Sequence, residues 1–334
     1  TGPSLFARAL EAVRQPKPRY TCLGLIAVLM LVMPYISSMY QINIMISALI
    51  YIMLGLGLNI VVGLAGQLVL GYAAFYAVGA YTYGLLNTYF GLGFWAVLPV
   101  GGIMAALFGL MLGFPVLRLK GDYLAIVTLA CGEIIKTIIN NLSVTGGAKG
   151  LDTSEIYADT RTLLPFAIVL IFLVVLVMMN LKNSRHGRAI MAIRDNRIAA
   201  ESVGIDVTRY KLMVFMLAAF FAGAAGVLYG HFFANVKAAT FDYNMSIEIL
   251  VIVVLGGMGS IPGSIIAAIV LTALPEAMRE FADYRMLLYA IVLIIVMLAT
   301  NNPTMKEFFH RISPAELLRR AKKKKAKSLQ KEGA

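Results

Sequence analysis

Charge, histidine and cysteine are scarce in this chain, and each scarcity removes a class of function. Of 334 residues, 14% are charged, three are histidine and two are cysteine. His186, His231 and His310 are far apart in sequence, and no cluster of His, Cys, Asp or Glu has metal-ligand spacing. No Gly-rich loop ending in Lys is present to cradle a nucleotide, so no metal, ATP or other cofactor is expected on the chain itself, and by itself it should hydrolyse nothing. Cys22 and Cys131 both fall in apolar runs and read as small packing residues rather than a disulfide. Charge inside the apolar runs comes down to Glu133 and Lys136, which are three residues apart on one helical face and can pair. Proton- or sodium-coupled pumps normally carry buried acids. Their near absence argues against a stand-alone secondary transporter, and a membrane-embedded enzyme lacks any catalytic constellation.

What the chain has instead is apolar length. Sixty per cent of residues are hydrophobic and the mean hydropathy is +0.82, the signature of an all-α polytopic membrane protein. About ten spans are expected: 20–37, 44–62, a third from the turn at 63–67 to Leu86, then 94–114, 123–139, 163–181, 211–233, 246–258, 261–275 and 285–300. Residues 1–19 lack a signal peptide's apolar core. Within them, Ser4–Gln15 forms an amphipathic segment that ends at Pro16 and Pro18. The transmembrane domain covers 20–300, and 301–334 is a basic tail with the four-lysine run Lys322–Lys325.

The charges are not spread evenly over the connections. Basic residues dominate 1–20, 116–122, 182–211 and the tail, whereas acids outnumber bases at 140–164, 231–248 and 276–285. In a ten-span arrangement every basic segment falls on one side, as the positive-inside rule requires. Both termini and the 182–211 segment are therefore expected in the cytoplasm, and 140–164 outside. The excess of positive charge reports topology and not a nucleic-acid partner.

Lys182–Lys211 is the most polar internal stretch, with seven Lys/Arg against three acids. Within it Gly187–Val203 reads as one helix, with an apolar stripe of Ile190, Ile193, Ile198 and Ala199 and with Gly204 as its C-terminal cap. Such a stripe on a cytoplasmic helix is expected to receive a partner. Elsewhere, glycines mark close helix packing or broken helices. Gly63, Gly66 and Gly71 follow Asn59 and flank Gln67, while Gly256, Gly257 and Gly259 interrupt the run between spans 8 and 9. Together with Glu133 these are the candidates for a pathway or hinge. Gly63–Gly66 against Gly223–Gly226, and Asp122-Tyr123 against Asp283-Tyr284, are two matches suggesting an inverted repeat offset by five spans.

Four stretches carry a family resemblance: Gly55–Tyr81, Gly113–Leu129, the 182–211 segment and Val253–Gly259. They resemble the LivM-type permease subunit of branched-chain amino acid ABC importers. The resemblance implies a type II ABC importer fold and a permease for leucine, isoleucine or valine; relatives carry other amino acids, urea or short amides. It implies a heterodimer with a homologous permease in the bacterial inner membrane. Two partner ATPases would hold the ATP and Mg, and a periplasmic binding protein would deliver substrate. The 182–211 segment would be the coupling loop that touches the ATPase, with Arg194, Asp195 and Asn196 on one turn and Ala199, Ala200, Glu201 and Gly204 on the next.

Overall fold

A computed structural model describes residues 38–277 apart from 117, 118, 120, 154–159 and 234, together with 291 and 294. The expected span 1, span 10 apart from 291 and 294, the amphipathic N-terminal segment, Cys22 and the basic tail lie outside the described residues. The chain divides into two compact units at Ala273/Leu274, and all the contacts given below lie within the first.

Helix α1, Met39–Asn59, begins five residues earlier than its hydropathy suggested. Ser38 and Gln41 make a capping box: the Gln41 N–H donates to Ser38 Oγ (3.4 Å) and the Ser38 N–H to Gln41 Oε1 (3.1 Å). Its last turn widens into a π-helical turn, Ile60–Leu64, followed by a non-helical stretch to Gly71. Helix α2 is Tyr72–Phe90, α3 is Phe94–Val116 and α4 is Asp122–Asn141.

The 140–164 connection, read as a plain polar loop, is ordered in part. Strand β1, Leu151–Asp152, pairs antiparallel with β2, Asn235–Val236. Tyr81 Oη donates to Val236 O (3.1 Å) and Thr153 Oγ1 to Phe233 O (2.7 Å), which ties this connection to α2 and to the β2 segment. Helix α5, Thr160–Asn183, leads into two short helices, α6 (Arg185–Asp195) and α7 (Arg197–Ser202). Helices α8 (Val207–Phe232), α9 (Tyr243–Gly256) and α10 (Ile261–Ala277) follow.

The core is α8 packed against α2 and α3. Without a strong hydrophobic drive between helices in lipid, close approach and van der Waals contact decide packing. The small residues are placed to allow it. A Cβ on Gly79 would overlap the carbonyl of Gly223, and a Cβ on Gly226 would overlap that of Tyr76. Tyr72, fully buried beside this seam, donates its hydroxyl to Ala218 O (2.9 Å). The outer face of α3 instead exposes Ile103, Leu107, Met111 and Phe114, an apolar stripe suited to hydrocarbon.

Among the described residues, five stretches are long and apolar enough to cross a membrane: Met39–Leu64, Phe94–Val116, Leu163–Asn183, Val207–Phe232 and Ala238–Gly256. Helices α2 and α4 have 19 and 20 residues, close to the roughly 20 that a span needs, but they are less apolar. The Gly63–Gly66 segment lies on the π-turn and its exit, whereas Gly223–Gly226 lies inside continuous helix α8. That pair therefore has no common structure, and Asp283-Tyr284 lies outside the described residues.

Candidate functional site

The π-turn after α1 and the turn between α9 and α10 meet, and Asn59 joins them. Its carboxamide is fully buried, accepts from the Gly259 N–H (2.7 Å), and donates to Ser260 O (3.2 Å) and Ser264 Oγ (3.0 Å). A Cβ on Gly63 would overlap Asn59 Oδ1, so glycine is what lets the carboxamide reach across. The α9–α10 turn needs glycine for a different reason: Gly257 and Gly259 have φ of +85° and +80°. Gly256 and Gly263 then press backbone to backbone as the chain turns back.

Breaking a helix frees carbonyls that protein or water must satisfy. Here two cations from the polar segment do so. Arg194 Nη1 donates to Gly63 O (2.8 Å), and Lys182 Nζ donates to Gly259 O (2.7 Å). The Arg194 stem runs so close to Gly66, itself at φ +65°, that a Cβ there would lie 2.7 Å from Arg194 Cγ. Asp195 Oδ1 accepts from Arg194 Nε and Nη2 (3.2 and 3.1 Å) and fixes the plane of the guanidinium. The structure thus joins Asn59, Gly63, Gly66 and Gly259, expected as pathway or hinge residues, to Arg194, expected on the coupling loop.

The polar segment itself departs from expectation. The single helix predicted over Gly187–Val203 is two, because Asn196 leaves helical geometry (φ −154°) and its Oδ1 accepts from the Ala199 N–H (3.1 Å) to cap α7. This break shifts the phase of the apolar stripe. Ile190 and Ile193, expected in the stripe that receives a partner, are instead buried within the chain itself, as is Ala200, packed with Ile193 and Val207. Ala200 was expected on the docking surface and is instead 3% exposed. Ile198 and Ala199, the other half of that stripe, do face out, with Ile198 79% and Val203 74% exposed. Glu201 pairs with Arg197 one turn back (2.9 Å). Gly204 ends the helix at φ +84° as predicted.

Three other candidates lie apart from this junction. Gly71 packs so tightly on α4 that a Cβ would overlap Thr128 O. Leu70 N–H and Ala73 N–H, freed at the start of α2, are satisfied by Thr128 Oγ1 (3.1 Å) and Ser246 Oγ (3.0 Å). Gln67 is buried at 3% exposure, with neither side-chain polar atom partnered. Glu133 pairs with Lys136 (3.1 Å), as their spacing predicted. Sequence reasoning missed Lys182 as an individual contact, along with Ser260, Ser264 and the half-buried acid Glu248 on α9. Among the described residues no group of His, Cys, Asp or Glu could hold a metal ion.

Comparison with known proteins shows the family. Residues 40–299 match the family described as "Branched-chain amino acid transport system / permease component". The chain is 42% identical over 311 residues to the high-affinity branched-chain amino acid transport system permease protein LivM of Escherichia coli K12, covering 83% of this chain and 73% of that protein. Against the Salmonella typhimurium LivM it is 39% identical, covering 79% and 70%. A shorter match, 31% over 121 residues, covers 35% of this chain and 39% of the LivH permease protein of Escherichia coli. No solved structure matches significantly. The chain belongs to the family of permease components of branched-chain amino acid transport systems.

Proposed function

We propose that the chain is the LivM-type permease subunit of an ATP-driven, high-affinity importer of leucine, isoleucine and valine. Its likeness over most of its length to the LivM proteins supports the substrate class. The shorter likeness to LivH supports a heterodimer of two homologous permeases. Two ATPase subunits, carrying ATP and Mg, complete the cytoplasmic side, and a periplasmic binding protein delivers substrate on the other. In this reading the chain has ten spans across the inner membrane, with both termini and residues 182–211 cytoplasmic. Residues 1–19 and 301–334 flank the 20–300 permease domain.

One observation carries the mechanism. The polar segment is hydrogen-bonded into both helix breaks, through Arg194 to Gly63 O and Lys182 to Gly259 O. The outward residues Ile198, Ala199 and Val203 form the ATPase contact, with Glu201 beside them and Gly204 setting the exit of the chain. Ala200 and Asn196 hold α7 at its angle to α6. Movement of the ATPases then shifts α6–α7 as a lever. Arg194, oriented by Asp195, passes the shift to the π-turn, where Asn59 links it to the Gly256–Gly259 turn. Opening and closing of the pathway follows from two breaks moving together, and the chain itself binds no nucleotide.

The test is reconstitution with the partner permease, ATPases and binding protein. Wild type is expected to take up labelled leucine only with ATP, and the ATPases to co-purify with it. Ile198→Glu alters an exposed side chain and leaves the fold alone. It is expected to weaken ATPase co-purification by about tenfold or more, as loss of an apolar anchor does. Leucine uptake by the purified chain without ATPases would instead establish a stand-alone transporter, for which Glu248 supplies the membrane acid.

A further inference from the structure

A cavity of about 420 Å³ opens between α1, α2, the end of α8 and the start of α9. Its size is within the range of small-molecule sites. Tyr51 comes from α1, Tyr76 from α2, and Tyr229 and Phe233 from the end of α8, while Asp242 and Glu248 line the α9 side. Ser47, Ile50 and Tyr51 place it against the middle of α1, so the second half of one helix runs from the cavity to Asn59 and the junction of the two breaks.

The two acids are not equivalent. Asp242 is occupied as the N-cap of α9: its Oδ1 accepts from the Met245 N–H (3.0 Å) and its Oδ2 from Asn244 Nδ2 (2.9 Å). Glu248 accepts one bond, from Tyr51 Oη to its Oε2 (3.0 Å). Among the described residues it takes part in no ion pair. A carboxylate on a membrane-spanning helix is costly without a cationic partner. Here that carboxylate faces a void rather than a Lys or Arg, with Tyr51 holding one oxygen and leaving the other open to the space. Beside it stand the faces and edges of Tyr76 and Tyr229, whose rings are 5.3 Å apart. Aromatic faces attract a primary ammonium and also pack against aliphatic side chains.

We infer that this cavity is a substrate site of the permease itself, in which Glu248 receives the ammonium group of an amino acid and the Tyr76–Tyr229–Phe233 wall receives its apolar side chain. The inference rests on the importer reading above and adds to it: the permease would select for the charged amine as well as pass what the binding protein delivers. Tyr51 is a positioning residue that orients the carboxylate. The ligand class is a zwitterionic amino acid with an aliphatic side chain, and an uncharged amide would forgo the ion pair.

The experiment is leucine uptake by the complete complex in liposomes, with ATP hydrolysis measured on the same preparations. Glu248→Gln keeps the shape and the Tyr51 bond but removes the charge. It is expected to lower uptake by about tenfold or more, the scale on which losing one member of a desolvated charge pair acts. Hydrolysis stimulated by the binding protein should stay near the wild-type level, and Glu248→Asp should restore part of the uptake. Should Glu248→Gln fail to assemble, Ser47→Trp fills the cavity from the α1 wall with the carboxylate intact, and it too should abolish uptake but not hydrolysis. Wild-type uptake in the first assembled variant, or in Ser47→Trp where that one decides, overturns the site. Absence of ATP-dependent uptake in the wild-type complex would overturn the importer reading instead, so the two failures are distinct.

Discussion

Two glycine-rich regions of this protein look alike in sequence and differ in what holds them. At the α2–α3–α8 seam, glycine removes a side chain so that backbones touch; the helices run through unbroken, and beside the seam Tyr72 bonds across to Ala218 O. At the junction of the π-turn and the α9–α10 turn, glycine permits positive φ and close passage of Asn59, and the helices stop. The seam is held mainly by close packing that involves many atoms. The junction is held by five directed bonds, from the Gly259 N–H, the two Asn59 Nδ2 donors, Arg194 and Lys182. A packed seam resists small displacements everywhere at once, whereas a few polar bonds can be exchanged one at a time. That difference is what supports placing the proposed lever at the junction and the scaffold at the seam.

The sharpest way to break the comparison is to place the same kind of change in both regions. Gly79→Ala drives a Cβ into the Gly223 carbonyl, which cannot move without parting α2 from α8. We expect no folded protein on size-exclusion chromatography. Gly259→Ala meets nothing nearer than 3.5 Å and adds only the strain of a left-handed residue, roughly 1–2 kcal/mol. Thermal unfolding in detergent should show a folded protein with a modestly lower Tm. Equal losses in the two variants would mean that the junction is as tightly packed as the seam.

Asn59→Leu tests whether directed bonds hold the two breaks together. Ser264 Oγ still donates to Ser260 O (3.1 Å), so the group left without a partner is the Gly259 N–H. One buried unsatisfied donor costs about 1–3 kcal/mol, and the variant should fold with a lowered Tm. Its leucine uptake should fall far more than its stability, because α1 no longer moves with the α9–α10 turn. A fall in uptake that merely tracks the fraction folded would reduce Asn59 to a structural bond.

How much of this was legible in sequence depends on the range of the interaction. The places of α3, α5 and α8, each within four residues at either end, the pairing of Glu133 with Lys136 and the cap at Gly204 follow from local spacing, and the structure has them. Asn59, Gly63, Gly66 and Gly259 were legible as exceptions to the apolar pattern, but not as one cluster, since Asn59 and Gly259 are 200 residues apart. The satisfaction of Gly63 O by Arg194, 131 residues away, has no local signal. Asn196 did have one: asparagine is a favoured N-cap, and reading 187–203 as a single helix overlooked it. A single break was enough to put Ala200 inside and Ile198 outside, because helical phase is lost at any non-helical residue. Glu248 was counted with the acids of a connection, and only the fold shows that it lines a cavity beside Tyr51.

The smallest expected effect belongs to the Arg197–Glu201 pair, and it sharpens the contrast from the other side. Both side chains are close to half exposed, at 40% and 48%. An exposed i,i+4 pair contributes only about 0.3–0.5 kcal/mol, less with salt. Glu201→Gln should therefore leave Tm unchanged within measurement, unlike Asn59→Leu. If the ATPases contact α7 through Glu201, the same variant should weaken their co-purification at low salt and lose that difference as ionic strength rises and exposed charges are screened. Unchanged co-purification at every salt concentration would restrict the contact to Ile198, Ala199 and Val203, leaving Glu201 as a local helix pair. Either result is informative only because the pair lies outside the bonded junction, where a charge can be removed without disturbing the breaks behind it.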